Sequence, residues 1–162
     1  LVIKDAKNKE ALSLINFNEI YNRVILSLKQ SVLDSNTTIE TNFREAEFVK
    51  FNGFLMESIM HHLITNAIKF SSPNRKPTIK IYTTLHRGAT QLIISDNGLG
   101  IDMKYAKEHI FGLHQRFHIH KEGRGFGLHL IHSQITALGG KINVDSEVDK
   151  GTTFTITFKK QL

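Results

Sequence analysis

Asn66 follows His62 by four residues and precedes Lys69 by three, in a run whose apolar residues recur with a helical period. At about 100° per residue, Asn66 lies about 40° from His62 and Lys69 about 20° to its other side, so the three form one polar stripe along a helix. An amide oxygen is a hard donor for a cation such as Mg²⁺. An ammonium one turn later offsets the charge of phosphate oxygens, so Asn66 with Lys69 suits a metal–polyphosphate ligand. The stripe also fits boundary residues that merely bond to neighbouring backbone. A second group, Ser95-Asp96-Asn97-Gly98-Leu99-Gly100-Ile101, ends the apolar run Leu92-Ile93-Ile94. A carboxylate leaving such a strand is poorly solvated and needs a donor, and glycines spaced by one residue let backbone approach a flat ligand closely. Adenine offers an exocyclic amine where guanine has a carbonyl, so Asp96 would favour ATP over GTP by attraction and repulsion together. Asp-Asn-Gly is equally ordinary turn chemistry. A third group, Gly123-Arg124-Gly125-Phe126-Gly127-Leu128, runs into a helical pattern. There, exposed amides at the positive end of the macrodipole would cradle phosphate, and the glycines would let the polar segment 116–122 close over a ligand. No Lys-Ser/Thr pair follows, as a P-loop would need, and no strand precedes, as a dinucleotide fingerprint would need.

The elements that carry these groups are legible from periodicity. Asn18 is placed to cap a helix through Ile20, Val24, Leu28 and Val32, ended by Ser35-Asn36. Extended pieces are expected at 38–43 and 48–51, then a long helix from Asn52-Gly53 to about Phe70. On it Met56, Ile59, Met60, Leu63, Ala67 and Phe70 form the apolar arc, while Glu57, His61 and Thr65 lie on the far side. Ile79, Ile81 and Leu85 alternate with polar residues, and 91–95 repeats the pattern after Arg87-Gly88, which predicts a hairpin. A short helix is expected near 103–110, and an amphipathic one through Leu128, Ile131, Ile135 and Leu138, closed by Gly139-Gly140. Strands around Ile142–Val144 and Phe154–Phe158 finish the chain. The sum is a two-layer α/β sandwich, a mixed and mostly antiparallel sheet covered by helices on one face.

The chain has 162 residues, about one domain, with 40% apolar and 22% charged residues, and so falls in the globular range. Zero cysteines exclude a disulfide framework, thiolate zinc sites, iron–sulfur clusters and a cysteine nucleophile. No apolar run approaches the roughly 18 residues of a membrane span. The opening Leu1-Val2-Ile3-Lys4-Asp5 is neither a start methionine nor a signal peptide, so the chain reads as a piece of a longer protein. Lys and Arg outnumber Asp and Glu by 21 to 15, a net charge of +6, but they are scattered; the densest groups, Arg75-Lys76 and Lys159-Lys160, are pairs. That is solvated surface charge rather than a nucleic-acid footprint. Nine histidines invite a metal reading. Without interleaved carboxylates or thiolates, His114, His118, His120, His129 and His132 are expected to be surface or lid residues.

The order and spacing of these groups resemble the catalytic and ATP-binding domain of sensor histidine kinases, within the superfamily shared with gyrase, the HSP90 chaperones and MutL. The likeness runs from about residue 18 to residue 158. Asn66-Ala67-Ile68-Lys69-Phe70-Ser71 resembles the N box, whose asparagine holds Mg²⁺ and whose lysine lies near the phosphates. Asp96 to Ile101 is similar to the first glycine box, whose aspartate binds the adenine amine. Residues 110–116 are similar to the F box, Gly123 to Leu128 to the second glycine box, and Gly151-Thr152-Thr153-Phe154 to the last, whose hydroxyl assists adenine binding. What the resemblance implies is a Bergerat-type fold over residues 16–162, with 1–15 the tail of a linker from a preceding dimerisation helix. It implies Mg²⁺ and ATP as cofactors, with Asn66 on the metal and Asn66, Lys69, Phe70, Asp96, Gly98, Gly100, Ile101, Gly123, Gly125, Gly127, Leu128 and Thr152 around the nucleotide. Arg116 would act at the transferred phosphoryl or the partner helix. The activity implied is protein-histidine kinase. The implied partners are the dimerisation and phosphoacceptor domain of the same protein and a response regulator, with no nucleic acid, in a cytoplasmic segment of a homodimer that is either membrane-anchored or free.

Departures from the family pattern bear on mechanism. Many histidine kinases carry a second asparagine four residues before the one at position 66, and the hydrolytic relatives carry a glutamate that activates water; this chain has His62. A neutral imidazole there could join the metal shell or act as a base. The missing glutamate argues against fast hydrolysis of the gyrase type. His114 replaces a usual aromatic, and only six residues separate Arg116 from Gly123. His61 and His62 are not the phosphoacceptor, which lies on a separate helical hairpin. The rival functions are a superfamily ATPase and a docking module that no longer uses ATP.

Overall fold

The computed structural model describes residues 12–112 and 127–161. The expectations at His114, Arg116, His118, His120, Gly123 and Gly125 lie outside the described residues. The elements run β1 (Ser13–Asn16), α1 (Phe17–Asp34), β2 (Thr38–Asn42), β3 (Phe48–Phe51), α2 (Gly53–Lys69), β4 (Thr78–His86), β5 (Ala89–Asp96), α3 (Met103–Ala106), α4 (Gly127–Ala137), β6 (Lys141–Glu147) and β7 (Gly151–Thr157). The five-stranded sheet has the order β2-β4-β5-β7-β6. Only the β2–β4 pair is parallel; β4–β5, β5–β7 and β6–β7 are antiparallel. Helices cover the face that carries Ile79, Ile81, Leu92, Ile94, Phe154 and Ile156, all buried, so the expected two-layer sandwich is the observed one.

Helix α1 is capped by Asn16, whose side chain accepts from Glu19 N–H at 3.0 Å; Asn18 lies inside the first turn. The reason for the shift is β1, which pairs antiparallel with β3, Ser13 opposite Phe51 and Asn16 opposite Phe48, and delivers the chain to the helix two residues earlier. The boundary expected between residues 15 and 16 therefore falls inside β1. Four residues are too short for periodicity to signal, and the partner strand lies more than thirty residues away. Phe17, Phe43, Phe51 and Phe158 close the core beneath this two-stranded sheet, with Phe51 and Phe158 edge-to-face at 5.2 Å.

Helix α2 starts where expected, its Asn52 cap accepting from Leu55 N–H at 2.9 Å. It packs against α1 on one side and against β5 and α4 on another. The buried set accordingly adds Leu55 and Ile64 to the predicted arc, while Phe70, expected on that arc, caps the helix end and is only half-buried. Thr65, expected on the far side, keeps its hydroxyl away from solvent. Arg87 and Gly88, at φ of 50° and 77°, make the two-residue turn of the β4–β5 hairpin. Gly139, at φ of 81°, stops α4. Among the described residues no helix is long and apolar enough to cross a membrane.

Candidate functional site

Asp96 is the last residue of β5, on the helix-covered face, because it follows Leu92 and Ile94 with the strand period. Its Oδ1 accepts from the Gly98 N–H at 2.8 Å and the Thr152 N–H at 3.3 Å. Burial pushes the carboxyl above the ordinary carboxylate range, and those two N–H groups together with the nearby Arg75 charge pull the other way. The raised value means that burial outweighs its donors, so the carboxylate gains from any further donor brought to it.

The loop after Asp96 meets the end of α2. Leu99 N–H donates to the Phe70 carbonyl at 2.9 Å, and Phe70 is the cap of the helix that carries Asn66 and Lys69. Gly98 sits in the crossing: a Cβ there would lie 2.5 Å from the Phe70 oxygen and 2.9 Å from Asp96 Oδ1. Gly100 has φ of 69°, and a Cβ would collide with the Glu147 carbonyl. Residues from two motifs thirty positions apart thus share one junction. Lys69 turns back so that Nζ stands 5.4 Å from the centroid of the Phe70 ring. Asn66 has no side-chain partner among the described residues.

Thr152, the second residue of β7, lies opposite Asp96 and is buried. Its hydroxyl is 2.8 Å from Ser146 Oγ, which donates to the Gly151 carbonyl at 2.9 Å and accepts from Ile101 N–H at 2.8 Å. A serine has one proton, so Thr152 is the donor in their shared bond and keeps acceptor capacity of its own. Ser146 therefore ties the first glycine loop to the start of β7. Sequence reasoning missed it, because an alternating strand serine carries no signal of that role. A cavity of about 540 Å³ touches Asp96 and Thr152 from the side of Met103, Lys107 and Ser146; neither Asn66 nor Lys69 lines it.

On the other flank, His62 Nδ1 is 2.9 Å from the Ser58 carbonyl, which can only accept, so in the neutral ring Nδ1 carries the proton and Nε2 keeps its lone pair. Gly127, the first residue of α4, faces the same ring, a Cβ there reaching 3.4 Å from His62 Cδ2. The helix start and the N-box stripe are thus adjacent. Leu128 packs on the core beside them. His129 and His132, expected at the surface, are half-buried instead. Nδ1 of His129 lies 3.1 Å from the Phe111 carbonyl, and the His132 ring stacks on the Phe111 ring at 5.1 Å, so both hold the end of the 103–112 segment to α4.

Arg75 is the residue the sequence misrepresents most. Expected there as half of a solvated pair, it has a side chain only 29% exposed, in an ion pair with Asp149 at 3.1 Å, and it donates to the carbonyls of Asn97, Gly98 and Asp149.

Residues 53–162 match the model of the histidine kinase-, DNA gyrase B-, and HSP90-like ATPases, and the chain belongs to that family. Among curated proteins it is 32% identical to the signal transduction histidine-protein kinase ArlS of Staphylococcus haemolyticus, over 98% of this chain and 36% of that protein. The catalytic domain of the histidine kinase ThkA superposes with a TM-score of 0.77 at 21% identity, covering 92% of this chain and 95% of that one. Full-length ShkA in complex with AMPPNP gives 0.78 at 17% identity, over 91% of this chain and 31% of that one. The chain spans from about a fifth to about two fifths of the length of the curated relatives it matches.

Proposed function

We propose that the chain is the ATP-binding catalytic domain of a two-component protein-histidine kinase. It binds Mg²⁺·ATP and passes the γ-phosphoryl to a histidine on a dimerisation domain of the same protein, which in turn serves a response regulator. The observation that carries the reading is the junction of Asp96, Gly98 and Thr152 with the end of α2, which gathers a half-buried carboxylate and the N-box helix into one neighbourhood. Two further facts support it: ArlS is a histidine-protein kinase, and the ShkA structure is a complex with AMPPNP.

Asp96 accepts the adenine amine, and Thr152, with acceptor capacity left, assists beside it. Gly98, Gly100 and Ile101 floor the base, Phe70 borders it, and Lys69 offsets phosphate charge. The amides at Gly127 and Leu128, with those of Gly123 and Gly125, receive phosphate oxygens at the start of α4. The donor set fits Mg²⁺: the Asn66 amide oxygen has no partner among the described residues, and this ion takes few protein ligands beside phosphate and water. Mg²⁺ supplies charge neutralisation across the phosphates when bound. Transfer forms a bond from phosphorus to the histidine nitrogen and breaks the bond to the bridging oxygen, releasing ADP. Arg116 acts at that phosphoryl or at the partner helix. His62, whose Nε2 has no hydrogen-bond partner among the described residues, is a candidate for the metal shell or a base.

Calorimetry of the chain with Mg²⁺·ATP is expected to give saturable heat. Phosphorylation of a supplied dimerisation domain is expected to disappear in Asn66→Ala. No heat with wild type would sink the nucleotide reading and leave a docking module.

A further inference from the structure

Two successive peptide units link Asp96 to the crossing with α2, and Arg75 grips both. Its Nε donates to the Asn97 carbonyl at 2.5 Å and its Nη2 to the Gly98 carbonyl at 2.7 Å. A trans peptide is planar and points its C=O and N–H in opposite directions, so fixing one end aims the other. The unit whose carbonyl is Asn97 carries the Gly98 N–H, which donates to Asp96 Oδ1 at 2.8 Å. The next unit, whose carbonyl is Gly98, carries the Leu99 N–H, which donates to Phe70 at 2.9 Å. Arg75 is itself held: Nη1 pairs with Asp149 Oδ1 at 3.1 Å and Nη2 donates to the Asp149 carbonyl at 2.8 Å, while Asp149 N–H donates to Leu99 at 2.7 Å. Asn97 adds a brace from the other side. Its side chain accepts from Thr78 N–H at 2.9 Å and donates to the Lys76 carbonyl at 2.9 Å.

No other side chain among the described residues donates to both carbonyls. A lysine in its place has one nitrogen and no planar fork, so it could not align the two units together.

We propose that Arg75 is a positioning residue for base recognition: by clamping the Asn97 and Gly98 carbonyls it turns the Gly98 N–H onto Asp96 and holds that carboxylate aimed at the exocyclic amine of adenine. The inference rests on the nucleotide reading above and adds a source of adenine selectivity from a loop outside its motifs. Arg75 is not among the residues lining the cavity at Asp96 and Thr152. Its effect reaches the ligand through one peptide plane and through its charge near Asp96.

The test compares Mg²⁺·ATP with Mg²⁺·purine riboside triphosphate, which lacks the amine, by calorimetry on the full chain, in wild type, Arg75→Met, Arg75→Lys and Asp149→Ala. Arg75→Met is expected to weaken ATP about tenfold, the scale of one charge-assisted contact, and to leave the analogue within about twofold, so that the preference collapses. Arg75→Lys and Asp149→Ala should fall between, and they carry the test if Arg75→Met does not fold. In the ¹H–¹⁵N spectrum without nucleotide, the Gly98 amide proton should move upfield in Arg75→Met as its bond to Asp96 weakens. Equal weakening of both triphosphates would overturn the proposal, because general loosening of the loop does not distinguish the bases. An unchanged preference in Arg75→Met would overturn it while leaving the nucleotide reading intact. Failure of wild type to bind ATP would remove the reading itself and this inference with it.

Discussion

Asp96 combines two opposed demands. Burial raises its pKa, so its ionised form costs folding free energy, yet that form is the one that accepts an amine. A carboxyl whose folded pKa lies above its unfolded value contributes most to stability at acid pH, and that contribution falls as pH rises from the ordinary carboxylate value through the raised one. At neutral pH the charge at position 96 is therefore a net cost to the fold. Asp96→Asn keeps an oxygen for Gly98 and Thr152 and removes that cost. The nucleotide-free variant is expected to melt at the same temperature as wild type or higher in calorimetry, while its ATP heat disappears. A melting point several degrees lower would contradict the cost assigned to the charge. In wild type, ATP affinity should weaken on acidification at a pH above that of an ordinary carboxylate, as Asp96 takes up its proton. Gly100 presents the opposite case, where the backbone leaves no room. Gly100→Ala meets both a left-handed φ and the Glu147 carbonyl, and is expected to lose about 1–3 kcal/mol in urea unfolding.

Helix α2 is the element on which both core and site depend. Met56, Ile59, Met60, Leu63 and Ile64 are almost wholly buried between α1 and the sheet, while His62, Asn66 and Lys69 remain half-exposed along one edge. Core packing thus sets where the polar stripe stands relative to Asp96. Met60→Ala is expected to cost about 2–5 kcal/mol of stability, measured by urea unfolding, because it empties a site closed on all sides. Asn52→Ala, which removes the cap, should cost about 0.5–2 kcal/mol by the same measurement. Neither residue lines the cavity at Asp96 and Thr152. In the folded state both variants should keep ATP affinity within a few-fold of wild type, which separates support of the helix from chemistry at its edge.

Across the whole molecule, the site joins segments that meet only when the sheet is complete. Asp96 and Thr152 are neighbours because β5 pairs with β7, and Asp149 reaches Leu99 because the β6–β7 turn folds over the first glycine loop. A ligand that binds only this assembled state must stabilise the entire domain. Mg²⁺·ATP at a hundred times its dissociation constant is expected to add about 2.7 kcal/mol to unfolding free energy, read as a rise in melting temperature. The rise should vanish in Asp96→Asn. A ligand-induced rise that persists in that variant would place the nucleotide elsewhere.

Much of this architecture was local, and local features are written in the chain. The hairpin of Arg87-Gly88, the cap at Asn52, the stop at Gly139 and the stripe of His62, Asn66 and Lys69 each depend on residues a few positions apart, so side-chain period and turn chemistry reveal them. The boxes were read differently, from a resemblance to histidine kinases carried by the order of several short motifs, each weak alone. The roles of Arg75 and Ser146 were not: Arg75 finds its partners 22, 23 and 74 residues away, and Ser146 reaches Ile101 across 45. An arginine beside a lysine in a turn looks solvated until the loop it clamps arrives from elsewhere. The same holds for β1, whose four residues become a strand only through β3, and for His129 and His132, which Phe111 draws out of solvent. Apart from β1, the sequence by itself determined which segments become helix and strand and where along them the carboxylate of Asp96, the amide of Asn66 and the glycine-rich turns stand. Tertiary structure alone decided which charges are buried and which backbone planes are aimed, because desolvation and hydrogen-bond direction depend on neighbours brought together by the completed sheet.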